Sequence, residues 1–276
     1  MSWVQASARH REAAIRLMLR DETLCASASS RLRAQVTDCV LYVNESAGGE
    51  ADDCLLYTGY GLLLPVLPAG GTDGAAITRI LLELRPPVHS IMGVGRWVGR
   101  MEALMPLAPS ARVEYNLMNV TAEEVVPVTG SAFTPVIRRA SPQDAEALFP
   151  LQKEYEKEEV VINPRIFNEL QCMRLLRKNL KDEIVFFAEK DGVPVAKAGT
   201  NARGFAADQI GGVFTVPSER GRGYAEAVMR VLLASIFEEK RRACLFVKKQ
   251  NAAANALYLK LGVKNRDDFA ISYYGI

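Results

Sequence analysis

Residues 209–225 read QIGGVFTVPSERGRGYA, and the rest of the chain can be placed around them. Val213-Phe214-Thr215-Val216 is a short apolar strand and Pro217-Ser218-Glu219 a turn. The glycine-spaced loop Arg220-Gly221-Arg222-Gly223-Tyr224-Ala225 then opens a long amphipathic helix reaching about Arg242. A loop of this kind aims several backbone N–H groups at one point ahead of the helix. The unpaired amides and the positive end of the helix dipole suit a phosphate or pyrophosphate there. Gly221 and Gly223 allow close approach or a left-handed backbone, and Arg220 and Arg222 add positive charge. By itself the pattern also fits a tight structural turn, which many α/β units carry.

The 276 residues are 49% hydrophobic and 24% charged, with a net charge of +2. That length suggests about two domains. The near-neutral balance gives no general argument for a nucleic-acid partner. The five cysteines, Cys25, Cys39, Cys54, Cys172 and Cys244, are odd in number and mostly sit in apolar runs. They read as reduced, buried thiols rather than as a disulfide framework or a metal site. His10 and His89 are the only histidines and have no metal-ligand spacing around them, so no metal is expected. Residues 1–20 are charged throughout, unlike a signal peptide, and the longest apolar run, 55–68, is broken by prolines. The expectation is a cytoplasmic protein without a membrane anchor.

In the first half, residues 9–24 have helical apolar spacing. Residues 39–44 and 54–64 read as two strands and 75–84 as a helix that stops at Pro86-Pro87. Strand 88–94, helix 96–105 and strand 111–118 follow. Gly93, Gly95 and Gly99 at a strand-to-helix turn, with Glu114 about twenty residues on, invite a dinucleotide reading. The third glycine is one residue late and no flanking repeats complete a doubly wound sheet, so a closely packed turn is preferred. The prolines and glycine of 122–135 mark a linker, dividing the chain into an α/β domain at 1–130 and a second domain at 131–276. The second domain runs strand 135–139, helices 142–157 and 164–180, and a hairpin 184–189/193–199 around Asp191-Gly192. After the opening stretch come strand 243–248, helix 252–261 and a last strand near 269–274.

This β-α-α-β-β-β-α-β-α-β order over 136–275 resembles the GNAT superfamily of acyl-CoA-dependent N-acyltransferases. Two motifs carry the resemblance. The Q/R-x-x-G-x-G/A loop is matched by Arg220, Gly223 and Ala225, and the N-x-x-A-x-x-x-Y-x-x-x-G run by Asn251, Ala254, Tyr258 and Gly262. The implied fold is α/β, a mixed and mostly antiparallel sheet flanked by helices. The first half, with its βαβ end, resembles a degenerate second copy.

The resemblance implies acetyl-CoA as the acyl donor. Arg220, Gly221, Arg222, Gly223, Tyr224 and Ala225 would cradle its pyrophosphate, with Arg222 also near the 3′-phosphate. Val213, Phe214, Thr215 and Val216 would lie along the pantetheine arm, paired through the peptide groups of Val213 and Thr215. Gly211-Gly212 stand where a bulge would open a gap between neighbouring strands. Asn251 would hold a pantetheine carbonyl or cap its helix, and Tyr258 would protonate the leaving thiolate. The position where some members carry a glutamate base is Gln209. Glu154, Glu158 and Glu159 lie where the family borders its acceptor site, but EYEKEE also suits a solvated face.

The expected function is acetyl transfer to a primary amine, on a small molecule or a peptide, by direct attack in a ternary complex. No cysteine in the motifs suggests a covalent intermediate. The alternatives are a non-catalytic acyl-CoA-binding regulatory protein, or aminoacyl transfer by a tandem pair. Nucleic-acid and membrane partners are not expected, and monomer and homodimer both stay open.

Overall fold

The computed structural model describes residues 2–70, 73–127, 133–160, 167–239 and 241–275. Alternating apolar residues and glycine-marked turns build β1 (Ser2–Gln5), β2 (Cys39–Glu45), β3 (Ala51–Thr58), β4 (Leu62–Val66), β5 (Ser90–Val94) and β6 (Ala111–Val120) in the first half. The helices there are α1 (Ala8–Leu19), α2 (Ala26–Arg33), α3 (Gly74–Glu83) and α4 (Gly95–Glu102). The second half holds β7 (Val136–Arg139), α5 (Ala145–Tyr155), α6 (Glu169–Asp182), β8 (Val185–Lys190), β9 (Val193–Arg203) and β10 (Ala207–Thr215). It continues with α7 (Tyr224–Glu238), β11 (Arg242–Lys248), α8 (Ala252–Lys260) and β12 (Lys264–Tyr273). The expected order of elements from 136 onward is therefore present.

Among the described residues all twelve strands form one sheet, ordered β1-β2-β3-β4-β5-β12-β6-β11-β10-β9-β8-β7. The pairs β4/β5 and β10/β11 are parallel and the other pairs antiparallel, giving the mixed, mostly antiparallel sheet expected. Two β-α-β-α-β arms, β4-α3-β5-α4-β6 and β10-α7-β11-α8-β12, meet at its centre and exchange their last strands. β12 lies between β5 and β6, while β6 pairs with β11. The sheet runs without a break across strands from both sides of the expected division at 130. Residues 128–132, in the middle of the linker reading, lie outside the described residues. On the near side, Val126 donates its N–H to the Leu261 carbonyl at 3.1 Å.

Several boundaries differ from those read in the sequence. The run 54–64 is two strands, because Gly61 turns the chain at φ +87° and the Leu62 N–H is held by the Thr58 hydroxyl. The first helix stops at Leu19, and a 3-10 turn at Glu22–Leu24 follows. The last strand begins at Lys264, five residues before the expected start, because β6 offers partners all along it.

One core joins the first-half helices to its strands around Trp97, Leu55, Leu56 and Leu63. In the second half α7 and α8 cover one face over Ile210 and Leu245, while α5 and α6 cover the other over Phe187 and Phe214. A buried carboxylate crosses between the halves. Glu22 accepts hydrogen bonds from the N–H groups of Phe205, Ala206 and Ala207, each at 2.6 Å, and so fixes the β9–β10 turn.

Candidate active site

β10 and β11 pair only from Ala207 to Ile210, opposite Arg242 to Leu245. Beyond Ile210 the two strands part. The cause is local: the β9/β10 register shifts between Gly211 and Phe214, and Gly212 adopts φ +63°. Such a bulge bends one strand away from its neighbour. The Val216 N–H donates to the Val195 carbonyl of β9. Alternation of the peptide groups along a strand then turns those of Val213 and Thr215 away from β9, and the Thr215 carbonyl there accepts from the Arg220 Nε–H at 3.1 Å.

The opening leads into a cleft of about 520 Å³. Val213, Phe214, Thr215, Arg220, Gly221, Gly223, Tyr224, Ala225, Asn251 and Tyr258 all border it. Val216 and Arg222, expected beside them, do not. Arg222 instead reaches Glu219 at 3.3 Å. Gly221 and Gly223 hold φ of +75° and +88°, a backbone that non-glycine residues seldom adopt. Gly223 is the N-cap of α7 and supplies no side-chain cap, which leaves the first amides of the helix for a ligand. The Thr215 hydroxyl, buried at the cleft wall, has no partner among the described residues.

Asn251 caps α8, accepting the Ala254 N–H at 3.1 Å. Its amide nitrogen is also within 3.0 Å of Glu159. Tyr258 is buried on α8, and burial, followed by the neighbouring Tyr155 and Glu159, pushes its hydroxyl well up. The phenol therefore keeps its proton at neutral pH and can donate it. Gly262, last residue of the same motif, turns with φ +91° against the linker backbone. A Cβ there would come within 2.1 Å of the Glu124 carbonyl oxygen, so the glycine serves the fold.

After α5 a single π-helical turn, Glu156–Val160, crosses the mouth of the cleft. Both carboxylate oxygens of Glu158 meet Arg220, at 2.7 and 2.8 Å, and Glu159 meets Lys248 at 3.1 Å. The EYEKEE stretch is thus more than a solvated face, although Glu154 is exposed and does not border the cleft. Lys249 turns away to Asp268 at 2.8 Å, and Lys260 pairs with Glu226.

Gln209 lies elsewhere. Its amide oxygen accepts from the Ser27 hydroxyl at 2.7 Å, under α2 of the first half. Asp208 is on the other side of the strand, held by Arg241 and Arg203; burial outweighs them and raises its carboxyl above the usual range. Sequence reasoning missed Lys197, a buried lysine of β9 whose ammonium donates to the Gly212 carbonyl at 2.9 Å. Its one signal is a charged residue inside the small, apolar run VPVAKAG.

The first arm repeats the plan without the site. β4 and β5 pair only at Leu62–Ser90 and Leu63–Ile91, but beyond them Gly93 packs against Pro65. The N-terminus of α3 is capped by the Asp73 carboxylate, which repels an anion. Gly95, from the rejected dinucleotide pattern, packs on Asp268.

Residues 147–263 match the model of the acetyltransferase (GNAT) family. Over these residues the chain is similar to that family. Solved structures extend the likeness in fold to the whole chain. A Drosophila protein, 13% identical, superposes with a TM-score of 0.68 over 99% of this chain and 98% of its own. A tandem GNAT protein from the clavulanic acid biosynthesis pathway gives 0.60 at 14% identity, over 99% and 98%. A GNAT-family acetyltransferase from Colwellia psychrerythraea gives 0.57 at 10%, with both chains fully covered. No curated protein matches the sequence. No helix among the described residues is long and apolar enough to cross a membrane, and no group of three or more His, Cys, Asp or Glu side chains there could hold a metal.

Proposed function

We propose that the protein transfers an acetyl group from acetyl-CoA to a primary amine, by direct attack in a ternary complex. The observation that carries this reading is the parting of β10 from β11 above a cleft that ends at an uncapped, glycine-lined helix N-terminus. The residues suit the donor. The amides of Gly221–Ala225 and the Arg220 guanidinium match a pyrophosphate. The peptide groups of Val213 and Thr215 that face away from β9, and the Thr215 hydroxyl, match an amide-bearing arm laid along the strand. A strand amide there would stabilise the oxyanion, and Tyr258 would give its proton to the departing sulfur. The first half, with its packed gap and capped helix, reads as a degenerate second copy, dividing the chain at 1–130 and 131–276.

A non-catalytic acyl-CoA-binding role drew its support from Gln209. Gln209 is engaged by the Ser27 hydroxyl, so under the acetyltransfer reading the base comes from another residue.

Titration calorimetry with acetyl-CoA and desulfo-CoA, on the wild type and Gly223→Glu, tests the donor site. Micromolar binding abolished by Gly223→Glu is expected; absence of binding by the wild type would overturn the reading. Primary amines are then screened for thiol release. Tyr258→Phe should cut turnover and leave acetyl-CoA affinity unchanged.

A further inference from the structure

With Gln209 turned away, the acceptor's proton needs another destination. The ammonium of Lys197 is buried, yet no carboxylate among the described residues lies within salt-bridge distance of it. Its partners are the Gly212 carbonyl at 2.9 Å and the Tyr155 ring, whose centroid is 4.6 Å away. Burying a lone ammonium costs several kcal/mol, and a methionine would fill the same space without that cost. Gly212 lies in the β9/β10 bulge two residues beyond Ile210, where pairing with β11 ends, so the Lys197 ammonium sits behind the strand that walls the gap and does not itself border the cleft. It lies on the α5–α6 face, opposite the α8 face that carries Tyr258.

We infer that Lys197 is the catalytic base of the acyl transfer, taking the proton from a cationic primary amine that enters between Tyr155 and the gap. This rests on the acetyltransfer reading. The groups around it fit the task. Glu156 of the π-turn attracts a cation and Tyr155 of α5 offers a ring face, while Cys172 of α6 completes the surroundings. Burial lowers the lysine to about 8, opposed by Glu156 and then Cys172, so an appreciable fraction is neutral at working pH.

The step balances. The acceptor ammonium gives one proton to the neutral Nζ of Lys197, which later returns it to solvent past Glu156. The freed lone pair forms the C–N bond and the C–S bond breaks. Tyr258 protonates the sulfur and is restored by the second proton released from the attacking nitrogen.

Competitive labelling with dilute acetic anhydride, read by peptide mass spectrometry across pH, examines the lysine without any acceptor. Lys197 should label with a midpoint near pH 8 and be protected by coenzyme A. A midpoint like that of exposed lysines, no labelling at any pH, or no protection would overturn the assignment. Calorimetry should show Lys197→Met and Lys197→Arg binding acetyl-CoA as the wild type does, which separates this idea from a failure of the donor site. Thiol release is then followed at pH 7 with the primary amine selected by the screen and with hydroxylamine, which is largely uncharged there. Both variants should lose at least about 100-fold with the amine, keep the hydroxylamine rate, and recover as pH approaches the amine's own pKa. An unchanged amine rate and pH profile would refute the role while leaving acetyl transfer standing.

Discussion

A lysine kept buried for chemistry should cost the fold stability, and Lys197→Met measures that cost. The folded value of about 8 lies below the 10.5 of an unperturbed lysine. The difference corresponds to a penalty of roughly 3 kcal/mol on the charged form. Methionine removes the penalty but also the hydrogen bond to Gly212, worth about 1 kcal/mol. The net expectation at pH 7 is a gain of about 2 kcal/mol. The sign with pH follows from proton counting. Between pH 8 and 10.5 the unfolded chain holds more protons than the native one, so the wild type gains stability as pH rises through that window. The advantage of the variant is complete below pH 8, falls through the window, and gives way above 10.5 to a deficit of about 1 kcal/mol from the lost hydrogen bond. Urea unfolding at pH 7 and at pH 10, on both proteins, reads this directly. Equal stability at pH 7, or an advantage that grows with pH, would refute the reasoning.

Other expectations concern the supports of the site. Glu22→Ala strands three N–H groups; Phe205 and Ala206 are exposed enough to find water, but Ala207 is fully buried, so a loss of about 2–4 kcal/mol is expected in denaturant unfolding. Less than about 1 kcal/mol would mean that the turn holds itself. Arg241→Ala removes a 2.7 Å partner from the fully buried Asp208 and should cost roughly 3–5 kcal/mol at pH 7. Because the Asp208 pKa is already raised, that cost should shrink as the pH falls and the carboxyl protonates; a cost independent of pH counts against the pairing. Glu158→Gln frees Arg220 from a competing carboxylate and should tighten coenzyme A binding several-fold in calorimetry at low salt. Unchanged or weaker affinity would show that the exposed pair does not compete with the ligand.

Much of this architecture is legible in the sequence because glycine and proline punctuate it. Asp191-Gly192 fixes a hairpin and Gly221 and Gly223 fix the loop, and both lie where local chemistry allows one conformation. Asn251, Ala254 and Tyr258 follow helical spacing, so their common place on α8 is also local. What could not be read depends on contacts between distant segments. Nothing in residues 264–273 announces that their partners are β5 and β6. The run 54–64 hides its turn because it is buried on both faces and lacks alternation. Gln209 sits at the expected distance from the loop, but a strand's face is set by what packs on it, here Ser27. Lys197 looks like a surface lysine until the fold buries it.

The exchange of final strands also bears on how the chain is made. During synthesis the first half emerges with β5 and β6 complete, but the strand that separates them, Lys264–Tyr273, is encoded well over a hundred residues after β6 ends at Val120. Until β12 leaves the ribosome, both strands present unpaired N–H and C=O groups, an invitation to pair with a neighbouring chain. A stop codon just before residue 264 would therefore remove the centre of the sheet and not a peripheral tail.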